Sequence, residues 1–200
     1  MTSTTSLVAD DLGSAAQRDR RKRILDATIT LASEGGFDAV QMRAVADQAD
    51  VALGTLYRYF PSKIHLLVSA LGREFEKAES ALSVRPVPGD TRAERVIDVL
   101  KKTSRGLQGD QHLTEALTRA FMFADKSVSE EIHHVVTLLT TMLTRAMHPD
   151  RPDVTAEDVK IAHVIGDVWL SALVAQVTGR STATETTEHL ETAVRLLLRD

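Results

Sequence analysis

The chain has no cysteine, which removes disulfides, thiolate metal sites and cysteine nucleophiles together and leaves the redox compartment open. Only 4% of its residues are aromatic, and its 200 residues include five prolines and one tryptophan. No apolar run approaches the ~18 residues of a membrane span. The start, Met1 to Ala16, lacks the basic flank and apolar stretch of a signal peptide. It is rich in Ser and Thr and reads as a disordered arm. A cytoplasmic protein without membrane contact is the expectation. Strand-like alternation is also missing. Between the scarce prolines, apolar residues recur at helical spacing, so the fold class is all-α. A hydrophobic content of 43% supplies a real core.

Catalytic patterns are absent as well. Of the seven histidines, His133 and His134 are adjacent and would point ~100° apart on a helix, a poor arrangement for sharing a metal. There is no His-x-x-x-His pair, no glycine-rich phosphate loop and no Gly-x-Ser-x-Gly. No metal site, cofactor or enzymatic activity is expected. Positive charge is not in excess either: the net charge is −4, which argues against indiscriminate coating of nucleic acid. The distribution is uneven. Residues 1–65 hold 8 Lys+Arg and 8 Asp+Glu, and residues 66–200 hold 16 and 20; five of the first eight cations fall in Arg18–Arg23. A DNA-binding tip on an acidic body and ordinary surface variation both fit this pattern.

What the chain does have is concentrated in residues 41–63. They read as a short helix (Met42, Val45, Ala46 and Ala49 inward), a turn at Asp50-Val51-Ala52, and a second short helix over Leu53–Tyr59. Such a helix is marginal alone and depends here on Leu56 and Phe60 as anchors. Pro61 then opens the next helix, where its missing N–H costs nothing. This is the layout of a helix-turn-helix that puts its second helix into the major groove. A long helix, Gln17 to Ser33, precedes it, with Ile24, Ala27, Thr28 and Leu31 inward and Gly35-Gly36 as its stop.

Further helices are expected at about 62–82, 91–106, 114–124, 129–147, 155–177 and 182–198. Breakers lie at Arg85-Pro-Val-Pro-Gly-Asp90 and His148-Pro-Asp-Arg-Pro-Asp153. Thr155 with Asp158, and Thr182 with Glu185, have capping-box spacing. The domain reading is an arm over 1–16, a DNA-binding unit over 17–61, and a larger helical body over 62–200.

Residue chemistry assigns roles within the first unit. Gln41 and Arg43, at the start of the short first helix, are placed to read bases, arginine being the commonest reader of guanine. Gly54 inside a helix costs ~1 kcal/mol relative to alanine, which a close backbone approach to DNA would explain. Thr55 and Tyr57 carry hydroxyls for phosphate oxygens, and Arg58 lies on the same short helix. Lys63, at a helix N-terminus, makes a plausible phosphate clamp. Arg21 and its basic neighbours sit at the wrong helix end for cations, a cost that contact with phosphates would offset.

The pattern Met42-Arg-Ala-Val-Ala…Ala49-Asp-Val-Ala…Gly54-Thr-Leu-Tyr-Arg-Tyr-Phe-Pro-Ser-Lys63 resembles the TetR family of bacterial transcriptional repressors. The match covers about residues 20–70. One departure is Ala52, where many members carry a serine or threonine that caps the recognition helix; a missing cap typically costs ~1 kcal/mol. The resemblance implies an all-α, TetR-like fold: a three-helix DNA-binding head on a larger ligand-binding and dimerisation domain. A narrower resemblance, to actinobacterial repressors of sterol (cholesterol) catabolism within that family, rests on Arg20-Arg-Lys-Arg-Ile-Leu-Asp-Ala-Thr28, His65-Leu-Leu-Val-Ser-Ala-Leu-Gly-Arg-Glu-Phe75 and Asp167-Val-Trp-Leu-Ser171. It implies palindromic, double-stranded operator DNA and a sterol-derived acyl-CoA inducer as partners. A regulator of fatty-acyl or efflux genes, and a helical ligand-binding protein with a vestigial helix-turn-helix, stand as alternatives.

In the body, Leu117, Phe121, Met122, Phe123, Leu139, Met142, Leu143, Trp169 and Leu173 suit either a plain core or an adaptable apolar cavity. The resemblance favours a cavity, with Leu117, Phe121, Met122, Leu139, Met142, Trp169 and Leu173 as ligand contacts. Lys101, Lys102, Arg105 and Arg119 are candidate partners for CoA phosphates. The Trp169 indole N–H needs a partner if buried. Stripes on the last two helices suggest a four-helix homodimer interface using Ile165, Val168, Ala172, Val194 and Leu197; burial within one chain is the alternative.

Overall fold

A computed structural model of the chain describes residues 4–84, 86–150 and 154–199. Among the described residues there are nine α-helices, one 3-10 turn and no strand. The head consists of α1 (Thr4–Ala39), α2 (Met42–Gln48) and α3 (Leu53–Tyr59). The body follows: α4 (Lys63–Ser83), α5 (Arg92–Gln108), α6 (Gln111–Phe123), the 3-10 turn Lys126–Val128, α7 (Ser129–Met147), α8 (Ala156–Val177) and α9 (Ala183–Leu197).

Local chemistry accounts for most helix ends. The α1 path breaks at Gly35–Gly36, where Gly36 has φ 67°, a conformation glycine adopts without steric cost. Asp50, with φ 51°, makes the turn between α2 and α3, a left-handed position that aspartate tolerates. Thr91, Thr155 and Thr182 each close a full capping box with Glu94, Asp158 and Glu185. Ser62 caps α4 by accepting from the His65 backbone N–H. Ala52 occupies the N-cap of α3 in extended conformation and makes no side-chain cap bond.

Two boundaries depart from expectation. Helix α1 runs from Thr4, ahead of the expected start at Gln17, and residues 1–3 of the expected arm lie outside the described residues. Helix α6 starts at Gln111 rather than Thr114, because Asp110 accepts from the Leu113 N–H at 2.9 Å and caps it. Within the two breakers, Arg85 and 151–153 also lie outside the described residues.

One apolar cluster runs from head to body. In the head it contains Ile24, Leu25, Val45, Ala46, Leu56 and Phe60, all at most 2% exposed; the alanines of α2 let its neighbours pack closely. Leu66 and Leu67 continue the cluster into α4. The head is also tied to the body by polar contacts. Arg73 on α4 pairs with Asp26 on α1 at 2.6 Å, and Glu115 on α6 accepts the Phe37 N–H at 3.0 Å.

Candidate functional site

Helix α3 shows its outer face clearly. Leu53, Gly54, Tyr57 and Arg58 are exposed, and positions i, i+1, i+4 and i+5 share one side of a helix. Leu56, on the opposite side, is fully buried. Nothing lies within 4 Å of where a Gly54 Cβ would be, so no contact inside the protein requires glycine there. Thr55 is half-buried on the flank, and Tyr59 packs against Phe60 at 6.4 Å between ring centroids. Gln41 is the exposed N-cap of α2 and makes no side-chain cap bond; Arg43 is exposed in the first turn of that helix. Gln41, Arg43 and the α3 face are thus presented by two helices that meet at the Asp50 turn.

Three cations are placed otherwise than their sequence positions suggest. Arg23 lies within the basic cluster, yet its guanidinium donates to the carbonyls of Ala49 at 2.7 Å and Asp50 at 3.3 Å. It caps the C-terminal end of α2 and holds the turn. Arg21 is exposed, with its guanidinium 5.6 Å from the centre of the Phe60 ring, in a cleft shared with Glu76 of α4 and Glu130 and Glu131 of α7. Lys63 is not a free clamp. Its ammonium sits 3.9 Å from the centre of the Phe37 ring, with Arg119 at 4.4 Å from the same ring. Burial lowers the Lys63 pKa, Asp38 and Glu115 counteract this, and Arg119 adds to the lowering. This cluster joins α1, α4 and α6, and Arg119 pairs there with Asp38 and Glu115.

The body encloses a cavity of about 290 Å³ between α4, α6, α7 and α8. Leu117, Phe121, Leu139, Trp169 and Leu173 line it, as the sequence suggests. The Trp169 indole donates to Ser104 Oγ at 2.8 Å, which satisfies its N–H, and its ring meets Phe75 edge-on at 5.7 Å. Two of the expected contacts do not line the cavity. Met122 is 53% exposed, because it lies on the outer side of α6; its neighbour Phe123, 67% exposed, ends that helix. Met142 is buried but packs in the core away from the cavity. Conversely, Leu71 and Phe75 from α4, Thr114 and Thr118 from α6, and His163 and Asp167 from α8 all face it. The two apolar ones are four positions apart on one face of α4; the polar ones carry no periodic signal.

The expected phosphate partners do not line this cavity. Lys101 pairs with Glu191 at 2.5 Å and Lys102 with Asp98 at 2.8 Å, and Arg119 belongs to the head–body junction. The supposed dimer stripe is also mostly internal. Ile165 and Val194 are fully buried within the single chain and Ala172 is 8% exposed, since these positions pack α8 and α9 on the rest of the body. Val168 is half-buried and Leu197 is 37% exposed. The free apolar side chains of these helices include Val164 and Leu196 beside Leu197. Among the described residues no group of three or more His, Cys, Asp or Glu could hold a metal ion, and no helix is long and apolar enough to cross a membrane.

Comparison with known proteins adds to this geometry. Residues 24–70 match the family described as bacterial regulatory proteins, tetR family, and residues 89–197 match the tetracyclin repressor-like C-terminal domain. The chain is 53% identical over 198 residues to the HTH-type transcriptional repressor KstR of Mycolicibacterium smegmatis, covering 99% of this chain and 96% of that protein. A solved TetR transcriptional regulator from Rhodococcus sp. RHA1 superposes with a TM-score of 0.85 at 28% identity, over 92% of this chain and 98% of its own. FadR from Bacillus subtilis, solved in complex with stearoyl-CoA, shares the fold at a TM-score of 0.62 and 19% identity, over 89% and 97% of the two chains.

Proposed function

Because the chain belongs to the TetR family of bacterial regulatory proteins, as a TetR-type transcriptional repressor and not an enzyme, we propose that it controls sterol catabolism genes and leaves its operator when a sterol-derived acyl-CoA fills the cavity. The observation that carries this reading is the apolar cavity itself, lined by α4 and α6, the two helices that also hold the head through Arg73 and Glu115. A ligand shifts such an equilibrium only by its differential affinity for the two states. Filling the space between Leu71, Phe75, Leu117 and Phe121 favours an arrangement in which α4 and α6 stand further apart, and the head follows them.

In the DNA-bound state, Gln41 and Arg43 read base edges and Leu53 offers an apolar contact for a thymine methyl group. Gly54 lets the backbone approach, and Thr55, Tyr57, Arg58 and Arg21 hold phosphates. Lys63 acts from behind, fixing the start of α4 against Phe37. Two copies joined through the exposed side of α8 and α9 would present two α3 helices to successive major grooves of a palindrome.

The test is a band shift with operator DNA, titrated in parallel with cholestenoyl-CoA and oleoyl-CoA. Release by the sterol ester at lower concentration than by the fatty ester is expected. Release by the fatty ester alone would transfer the reading to fatty-acyl control. An operator complex indifferent to both would remove acyl-CoA as the inducer class.

A further inference from the structure

The cavity does not end at α4. Phe75 and Leu107, which line it, also line a second space. This is an open groove of about 710 Å³ between α4 and α5. Its floor is apolar, with Ala78, Leu82 and Val87, and its rim carries Lys77 and Lys102 against the single carboxylate of Glu74. We propose that this groove holds the nucleotide-bearing arm of the acyl-CoA whose acyl part occupies the cavity, with Phe75 and Leu107 as the gate between them. The assignment rests on the acyl-CoA reading of the preceding section.

Three independent features support it. The first is continuity: Phe75 and Leu107 line both spaces, so one elongated ligand can occupy both when Phe75 turns. The second is charge. Lys77 and Lys102 have 61% and 45% of their side chains exposed, and each pairs with a carboxylate of its own helix, Glu74 and Asp98. Exposed pairs of this kind are weak, so both ammonium groups can turn to phosphate. The α8 part of the cavity lining carries His163 and Asp167, and the aspartate there repels an anion. The third is Gly106 near the end of α5. A Cβ on it would meet nothing within 4 Å, and helices disfavour glycine. Its missing side chain keeps the groove open rather than serving any contact within the protein.

The gate also supplies the readout. Phe75 touches Trp169, the only tryptophan, so ligand entry past Phe75 alters tryptophan emission. The experiment titrates the full chain with cholestenoyl-CoA and with free cholestenoic acid, following Trp169. It compares the natural chain with Gly106→Leu and with the double variant Lys77→Gln/Lys102→Gln. A Cβ at position 106 meets nothing within 4 Å, so Gly106→Leu extends into the groove and raises helix propensity; melting curves check the folding of both variants. The expected result is affinity for the CoA ester about tenfold weaker in each variant, as for loss of charge-assisted bonds, with affinity for the free acid unchanged. Equal CoA-ester affinity in all three proteins would overturn the groove assignment. No response of the natural chain to either probe would overturn the acyl-CoA reading itself, and the groove with it.

Discussion

Gly54 is costly for the α3 helix, and the role proposed for it is a close backbone approach to DNA. It lies exposed on α3 with open space where its Cβ would be. Gly54→Ala should therefore raise stability by up to ~1 kcal/mol, seen as a higher melting temperature, and weaken binding to operator and random DNA alike. Unchanged DNA affinity in the alanine variant would show that the backbone makes no close approach there. Asp158 has the opposite character. Burial alone would raise its pKa, but hydrogen bonds from the Thr155 hydroxyl, the His148 ring and the Thr155 N–H hold it at about 2. A depressed carboxylate pKa stabilises the fold above the unfolded value near 4, and that contribution disappears as pH falls toward 2. Asp158→Asn should cost about 1–2 kcal/mol at neutral pH. In denaturant titrations the gap from the natural chain should close between about pH 4 and pH 2; a gap independent of pH would remove the ionised form from the explanation. Residue identity alone reveals the chemistry of such groups but not their partners. Arg23 sits in a basic run, and only the fold brings it to the carbonyls of Ala49 and Asp50, 26 and 27 positions away.

Among the elements, local signals decided how much could be read in advance. Helices α8 and α9 begin where Thr155 and Thr182 suggest, because caps and apolar period both act over a single turn. The start of α6 was hidden because its cap, Asp110, follows Gly109 and precedes the apolar stripe by several residues. Helix α3 has an unmet local requirement. It has seven residues and an N-cap, Ala52, already in the extended conformation that a capping serine adopts. Ala52→Ser should raise the stability of the head by ~1 kcal/mol, measured by hydrogen exchange of the α3 amides. No gain in protection would mean that packing of Leu56 and Phe60 already fixes the helix fully.

At the scale of the whole molecule, helical stripes do not say what they pack against. Ile165 and Val194 have the spacing of an interface and are buried inside one chain. Met122 and Phe123 have the composition of a pocket and lie outside it. A stripe only states that a helix face leaves water, and the third dimension assigns the neighbour. On α8 and α9, the large apolar side chains exposed among the described residues are Val164, Leu196 and Leu197. Val164→Glu combined with Leu197→Glu should give a folded monomer in sedimentation, with operator affinity reduced by more than about tenfold through loss of the second half-site. A dimer that persists in this variant would place the interface elsewhere on the body.

Coupling between the cavity and the DNA-binding head can be measured in one protein without any variant, because linkage is reciprocal. Trp169 emission gives the affinity for cholestenoyl-CoA, first in the free protein and then with saturating operator DNA. A repressor released by this ligand must bind it more weakly when on the operator, by the same factor that the ligand weakens operator binding; a factor of about ten or more is predicted. Equal ligand affinity in the presence and absence of operator would contradict it.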